Sequence, residues 1–183
     1  MLLVAPRGTR AVLDAARRLA GAGAAGPARR PAVVVVADPA VAAGAAGGPG
    51  LLEVAAGRCT LAEAMVPDPV GGFDWLPLGG SDESAARPRP RRAALSAVLE
   101  RLAATRDVLV AAPAVLESVE ALDLSGPGRV SVLVAEAPGT SNQEVREAER
   151  LLRMAAGEYL GRIVMATKGS AMNVAARGPW SRR

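Results

Sequence analysis

The sequence contains no histidine, one cysteine and, at Lys168, one lysine. Without histidine there is no imidazole metal site, no Ser-His-Asp triad and no imidazole acid–base step. Cys59 alone builds neither a disulfide framework nor a thiolate cluster, so it reads as a small packing residue rather than a reactive thiol. Aromatic residues are as scarce: one Phe, one Tyr and two Trp. The arginine clusters at Arg29-Arg30, Arg87 to Arg92 and the terminal Arg177, Arg182 and Arg183 therefore lack interleaved rings on which bases could stack. They read as solvated loops, and nucleic acid is not an expected partner. No run of about twenty apolar residues exists to span a bilayer. The longest apolar stretch, from Ala32, breaks at Asp38-Pro39. The N-terminus lacks the zones of a signal peptide, so the expectation is a cytoplasmic chain without a membrane span.

What the chain has is Ala, Val and Leu in two alternating patterns. Short runs rich in valine, at Met1 to Ala5, Val33 to Val36, Val108 to Val110, Val130 to Val134 and Leu160 to Met165, read as strands buried on both faces. Between them lie helical periods. Val12, Ala15, Ala16 and Leu19 make one apolar stripe; Leu95, Val98, Leu99 and Leu102 make another. A third helix is predicted from Ser141 to Met154, opened by Thr140-Ser141-Asn142 as a cap with Glu144 in its first turn. Strand–helix alternation predicts right-handed crossovers and an α/β fold, a three-layer, doubly wound, mostly parallel sheet. The Ala-, Gly- and Pro-rich stretch at 37–50 and the Pro- and Arg-rich stretch at 79–92 read as loops. Residues 1–166 are expected to form the domain and 167–183 a flexible C-terminal tail.

Ligands of open parallel sheets bind beyond the carboxyl ends of the strands. Three such places carry candidates. The first loop, Ala5 to Arg10, offers Gly8, Thr9 and Arg10 beside Arg7 at a helix N-terminus, a weak anion site with one glycine and no lysine. The second strand ends at Asp38, a single carboxylate. The third place, Val110-Ala111-Ala112-Pro113, has alanine where a magnesium-coordinating Asp would serve; Glu117 lies a few residues on.

The stretch Gly50-Leu51-Leu52-Glu53-Val54-Ala55-Ala56-Gly57, then Thr60 to Ala64, Pro67 and Gly72-Phe73-Asp74-Trp75-Leu76-Pro77-Leu78-Gly79 resembles the cytoplasmic domain of bacterial tyrosine kinases that regulate capsule and exopolysaccharide synthesis, relatives of the septum-positioning and partition ATPases. The family carries a Gly-Leu-x-x-Val-Leu-x-Gly helix, a short helix and a strand ending in Leu-Pro-x-Gly there. Arg106 to Leu116 is similar to its Asp-Thr-Pro-Pro-Val-Leu strand end. Val132 to Val134, the helix from Ser141 and Leu160 to Met165 follow in the same order. The resemblance implies a P-loop NTPase-like fold over residues 1–166.

Set on that pattern, Thr9 falls at the P-loop Lys, Arg10 and Ala11 at its Ser and Thr, Val36 and Asp38 at the Asp-x-Asp pair, and Ala111 at the Walker B Asp. The family's C-terminal tyrosine cluster has no counterpart, since Tyr159 lies within the body, and no N-terminal extension is expected. Phosphoryl transfer rests on Lys and Mg²⁺ for positioning and charge stabilisation. The resemblance with these departures predicts no catalytic residues, no metal, and no ATP or Mg²⁺ cofactor, with Gly8, Thr9, Arg10 and Asp38 as a vestigial nucleotide site. The expected function is a non-catalytic, pseudokinase-like scaffold or regulator in exopolysaccharide or capsule biosynthesis. Its expected partners are a membrane chain-length-control protein, a homologous kinase or a second copy, holding it at the inner face of the plasma membrane. The alternative is a nucleotide- or phosphate-binding sensor or ATPase with a rewired, lysine-free loop.

Overall fold

A computed structural model describes residues 1–24, 30–39, 48–80, 90–126, 128–155, 157–166 and 173–176. Residues 40–47 of the expected loop at 37–50 and residues 81–89 of that at 79–92, and Arg29, Arg87, Arg89, Arg177, Arg182 and Arg183, lie outside the described residues. The chain divides into two compact units, Met1–Ala15 with Ala111–Arg183, and Ala16–Val110. The valine runs and apolar stripes appear as strands and helices, with further short elements among them: β1 (Leu2–Val4), α1 (Arg10–Ala24), β2 (Ala32–Val36), α2 (Leu51–Ala55), α3 (Leu61–Ala64), β3 (Val66–Pro67), β4 (Asp74–Leu76), α4 (Arg92–Thr105), β5 (Asp107–Ala111), α5 (Glu120–Leu124), β6 (Val130–Ala137), α6 (Asn142–Met154), β7 (Glu158–Ala166) and β8 (Asn173–Ala176).

In the first unit the strands lie in the order β1-β6-β7-β8. β1 and β6 are parallel with Leu3 opposite Val132, and β6 and β7 are parallel with Val134 opposite Ile163. Every residue of β1 is buried, as is the centre of β6, so continuous apolar runs suit strands covered on both faces. β7 differs from the run expected at Leu160 to Met165. Only Ile163 and Met165 are buried and Leu160 is 42% exposed, the period-2 pattern of a strand covered on one side. The segment read as a tail supplies β8, which pairs antiparallel with β7, Val174 opposite Ile163. Alternation in the short Asn173-Val174-Ala175-Ala176 run is too weak a signal to mark a strand; the open hydrogen-bonding edge of β7 completes it.

α6 packs against β6 and β7 through Val145, Ala148 and Leu152, all buried. Tyr159 of β7 ties the two elements together: its hydroxyl donates to Glu149 Oε1 at 3.1 Å, and the Arg153 guanidinium lies 4.9 Å from the ring centroid. Burial, and secondarily the Glu149 charge, push its phenol well above the usual range.

In the second unit the order is β3-β4-β2-β5. All five residues of β2 are buried, and its valines run parallel to β4 with Val34 opposite Trp75. β3 turns back antiparallel on β4. Asp68 builds that turn: its carboxylate accepts from the Val70 and Gly71 backbone N–H groups at 3.0 and 2.6 Å and from the Trp75 indole at 2.9 Å. The Arg17 guanidinium of α1 closes the cluster at 3.3 Å. The indole N–H, then the two backbone donors and Arg17, outweigh desolvation and hold this carboxyl below its usual range. The motif segment Gly50 to Gly79 folds as one unit. Leu51 and Leu52 N–H donate to Pro77 and Leu78 carbonyls at 2.8 and 2.9 Å, while Glu53 reaches back to Gly50 N–H at 2.9 Å.

Candidate functional site

The first loop joins β1 to α1 within the first unit. Its own carbonyls fix what lies beside it. Ala5 and Pro6 accept from Val115 and Leu116 N–H at 2.9 and 3.2 Å, and Leu3 accepts from Ala112 N–H at 2.9 Å. The segment leaving β5 is thereby laid along the loop, and the next residue is Glu117. Gly8 takes a left-handed conformation, φ +62°, where a Cβ would be strained. Thr9 is buried, and its carbonyl accepts the first helical bond of α1, from Leu13 at 3.1 Å.

Two carboxylates converge on this loop. One Glu117 oxygen lies 3.4 Å from Gly8 N and the other 3.4 Å from Arg7 Nη1. Glu144 accepts from Arg7 Nε at 2.7 Å. The first turn of α1 has no acidic residue of its own, so the positive helix end and Arg7 draw their counter-charge from elsewhere in the chain. Glu144 is itself fixed: it accepts from Ser141 N–H at 2.9 Å and from the Ser141 hydroxyl at 2.8 Å while Ser141 accepts from its N–H, a capping box at the start of α6. The Ser141 N–H first, then the Ser141 hydroxyl and Arg7, hold the Glu144 carboxyl below its usual range.

The structure thus brings Gly8, Arg7 and Glu117 together and adds Glu144, whose part in the site sequence reasoning did not anticipate. Glu144 stands out in the sequence only as a first-turn acid; its pairing spans 137 positions and leaves no local signal. Arg10 is exposed at the start of α1. Asp38 lies in the other unit, after β2, and is 5% exposed. Val36 and Ala111, at the positions of the expected motif carboxylates, are both buried at strand ends.

These residues do not fit a magnesium nucleotide held in the usual way. Residues 5–10 contain no lysine, the end of β5 presents Ala111 and Ala112, and a carboxylate faces the loop N–H that a phosphate oxygen would need. Among the described residues, no group of three His, Cys, Asp or Glu side chains is placed to hold a metal ion. No helix of the described residues is long and apolar enough to cross a membrane.

No family model and no curated protein matches the sequence. Solved structures do match the fold. The kinase domain of the Escherichia coli tyrosine kinase ETK aligns over 97% of this chain and 71% of its own, at 20% identity and a TM-score of 0.69. The VpsO kinase domain aligns over 91% and 84%, at 20% identity and a TM-score of 0.70. A ParA family ATPase from Chlorobium tepidum TLS aligns over 94% and 76%, at 16% identity and a TM-score of 0.59. The fold is therefore the α/β fold of these kinase and ATPase domains, the group that the Gly50 to Gly79 motif resembles. At these identities the likeness is one of fold. It corrects the expectation that the chain is not an enzyme: its structural neighbours are kinase and ATPase domains, so the architecture points to an enzyme family. That expectation rested on side-chain losses at Thr9, Val36 and Ala111, which change individual contacts while leaving the backbone fold in place.

Proposed function

We propose that this chain is a partner-binding regulator of extracellular-polysaccharide assembly built on the tyrosine kinase fold. The observation that carries this reading is the closed first loop: Arg7 and the Gly8 N–H face Glu117 and Glu144 of the same chain. Strand and helix positions follow the kinase fold, and the reading takes the Arg7 ion pairs with Glu117 and Glu144 as its support. In this reading the domain works by protein contact, with a membrane chain-length-control protein, a kinase of the same fold or a second copy. Such a partner would hold it at the inner face of the plasma membrane.

The test combines partner capture with nucleotide titration. The tagged chain is expected to co-purify with the cytoplasmic segment of a chain-length-control protein or with a kinase domain encoded beside it, or to self-associate in light scattering. Calorimetry with ATP, with and without Mg²⁺, is expected to show no binding tighter than about millimolar, because the charge that Lys and Mg²⁺ would supply is missing. Magnesium-dependent binding at micromolar affinity would overturn the closed-loop reading.

A second reading is favoured by one feature of the same loop. The left-handed Gly8 directs its N–H, together with the Arg7 guanidinium, at a single anionic group. A loop of that form suits a phosphate sensor that works without lysine and without magnesium.

A further inference from the structure

We infer that the turn between β3 and β4 is a docking surface for a second copy of this chain, with Val66 and Val70 at the contact. The inference rests on the partner-binding reading above and gives it a surface and an occupant.

From Met65 to Gly72 the chain has one ionisable residue, Asp68. Its side chain is 3% exposed. The carboxylate is turned in onto the Val70 and Gly71 N–H groups, the Trp75 indole and the Arg17 guanidinium. The valines on either side are turned out. Val66 is 55% and Val70 86% exposed, and Pro67 and Pro69 between them are exposed as well. Valines exposed singly are ordinary. Here one short segment is inverted, its charge inside and its apolar side chains in water.

The segment is also held still. Asp68 N–H donates to the Phe73 carbonyl at 2.8 Å. Phe73 is buried, and its ring meets that of Trp75 edge-on with centroids 5.2 Å apart. A turn fixed in this way loses little conformational entropy when it docks. β3 is the outermost strand of its sheet, and Pro67 lacks the N–H that an added strand would need from that edge. Docking is therefore through side chains and not by strand addition.

Charge names the occupant. The chain carries 22 Lys and Arg against 18 Asp and Glu, and a two-fold contact brings each group near its own copy. Through the exposed side of α6 such a contact would set Arg146, Arg150 and Arg153 against themselves. Across the β3–β4 turn the one carboxylate is internal and Arg17 is already paired with it. Two copies meet there without like-charge repulsion and cover the valines of both. Four exposed side chains make less than the about 800 Å² per partner of a standard interface, so the dimer is weak, with a Kd of about 100 μM.

The experiment is sedimentation equilibrium of the chain over about 10 to 500 μM. Val66→Asp and Val70→Asp each put a carboxylate into the apolar contact and are expected to weaken the dimer at least about tenfold. Val119→Asp, at a valine 75% exposed in the other unit, is expected to leave it unchanged. Salt at about 500 mM is expected to preserve or strengthen the wild-type dimer, because screening relieves repulsion between cationic copies. A wild-type chain that stays monomeric overturns this inference, while capture of a chain-length-control protein or a kinase domain decides the partner-binding reading separately. A dimer that survives both turn substitutions, is lost equally in Val119→Asp, or dissociates in salt overturns it too. Melting temperatures establish that each variant is folded. Should Val70→Asp melt lower, Val70→Ser keeps the backbone donor to Asp68 and removes the methyl groups; it is expected to weaken the dimer about threefold, and an unchanged dimer overturns the inference.

Discussion

Gly50 and Gly79 approach so closely that neither has room for a side chain. A Cβ on Gly50 would collide with the Pro77 carbonyl and with Gly79 backbone, whose Cα would lie at 2.7 Å; one on Gly79 would meet the Glu53 carboxylate and, at 2.8 Å, Gly50 N. Gly79 is also at φ +80°. Backbone atoms cannot yield as a flexible side chain does, so Gly50→Ala is expected to destabilise the chain by about 3 kcal/mol, read from urea unfolding. Gly8→Ala, at a positive φ but with open space around its Cβ, should cost only about 1 kcal/mol. The difference between these two variants measures crowding apart from backbone strain. Both glycines of the pair were legible as spaced positions of the Gly50 to Gly79 motif. The partners of Arg7 were not legible. They lie 110 and 137 positions away, and no local pattern encodes a meeting of exposed long side chains.

At the scale of elements, legibility followed the strength of the local signal. The start of α6 was readable to within a residue: Thr140-Ser141-Asn142 marked the cap and Glu144 the first turn, and in the structure Ser141 and Glu144 form a reciprocal cap ahead of Asn142. α1 shows the limit of a stripe. Val12, Ala15 and Ala16 are buried as expected, but Leu19 is only partly covered and Ala20 completes the face. An apolar period fixes the facing side to within a residue, and side-chain volume does not say which of two neighbours the packing accepts. Ser141→Ala should destabilise by about 1 kcal/mol in chemical denaturation through the lost cap. Glu144 adds a pH dependence of known sign. Its folded value lies below its ordinary 4.5, so its contribution to stability is full above that value and is lost as pH falls through the depressed folded one. Glu144→Gln keeps an amide oxygen for the cap and cannot titrate. Its stability is expected to fall less steeply below about pH 4.5 than that of wild type. Parallel acid limbs for the two chains would show that the Ser141 and Arg7 contacts do not favour the ionised form.

At the scale of the whole molecule, charge bears on one large class of partner. The sequence carries 22 Lys and Arg against 18 Asp and Glu, and its basic pI invites a nucleic-acid reading. The described arginines are not arrayed for that task. Arg7, Arg17, Arg58, Arg106, Arg150 and Arg162 each face a carboxylate of the chain, so part of the formal excess is neutralised where it stands. Binding to duplex DNA depends on phosphate charges neutralised at once, and each adds close to one unit to the log–log salt slope. The chain is expected to retain a duplex oligonucleotide on a filter only at low salt, with a slope no steeper than about −2, and to release it by about 150 mM. A slope near about −6 would mean that five or more arginines reach phosphates together. The intrachain pairs would then have to open on binding, and the regulator reading would give way to an electrostatic one.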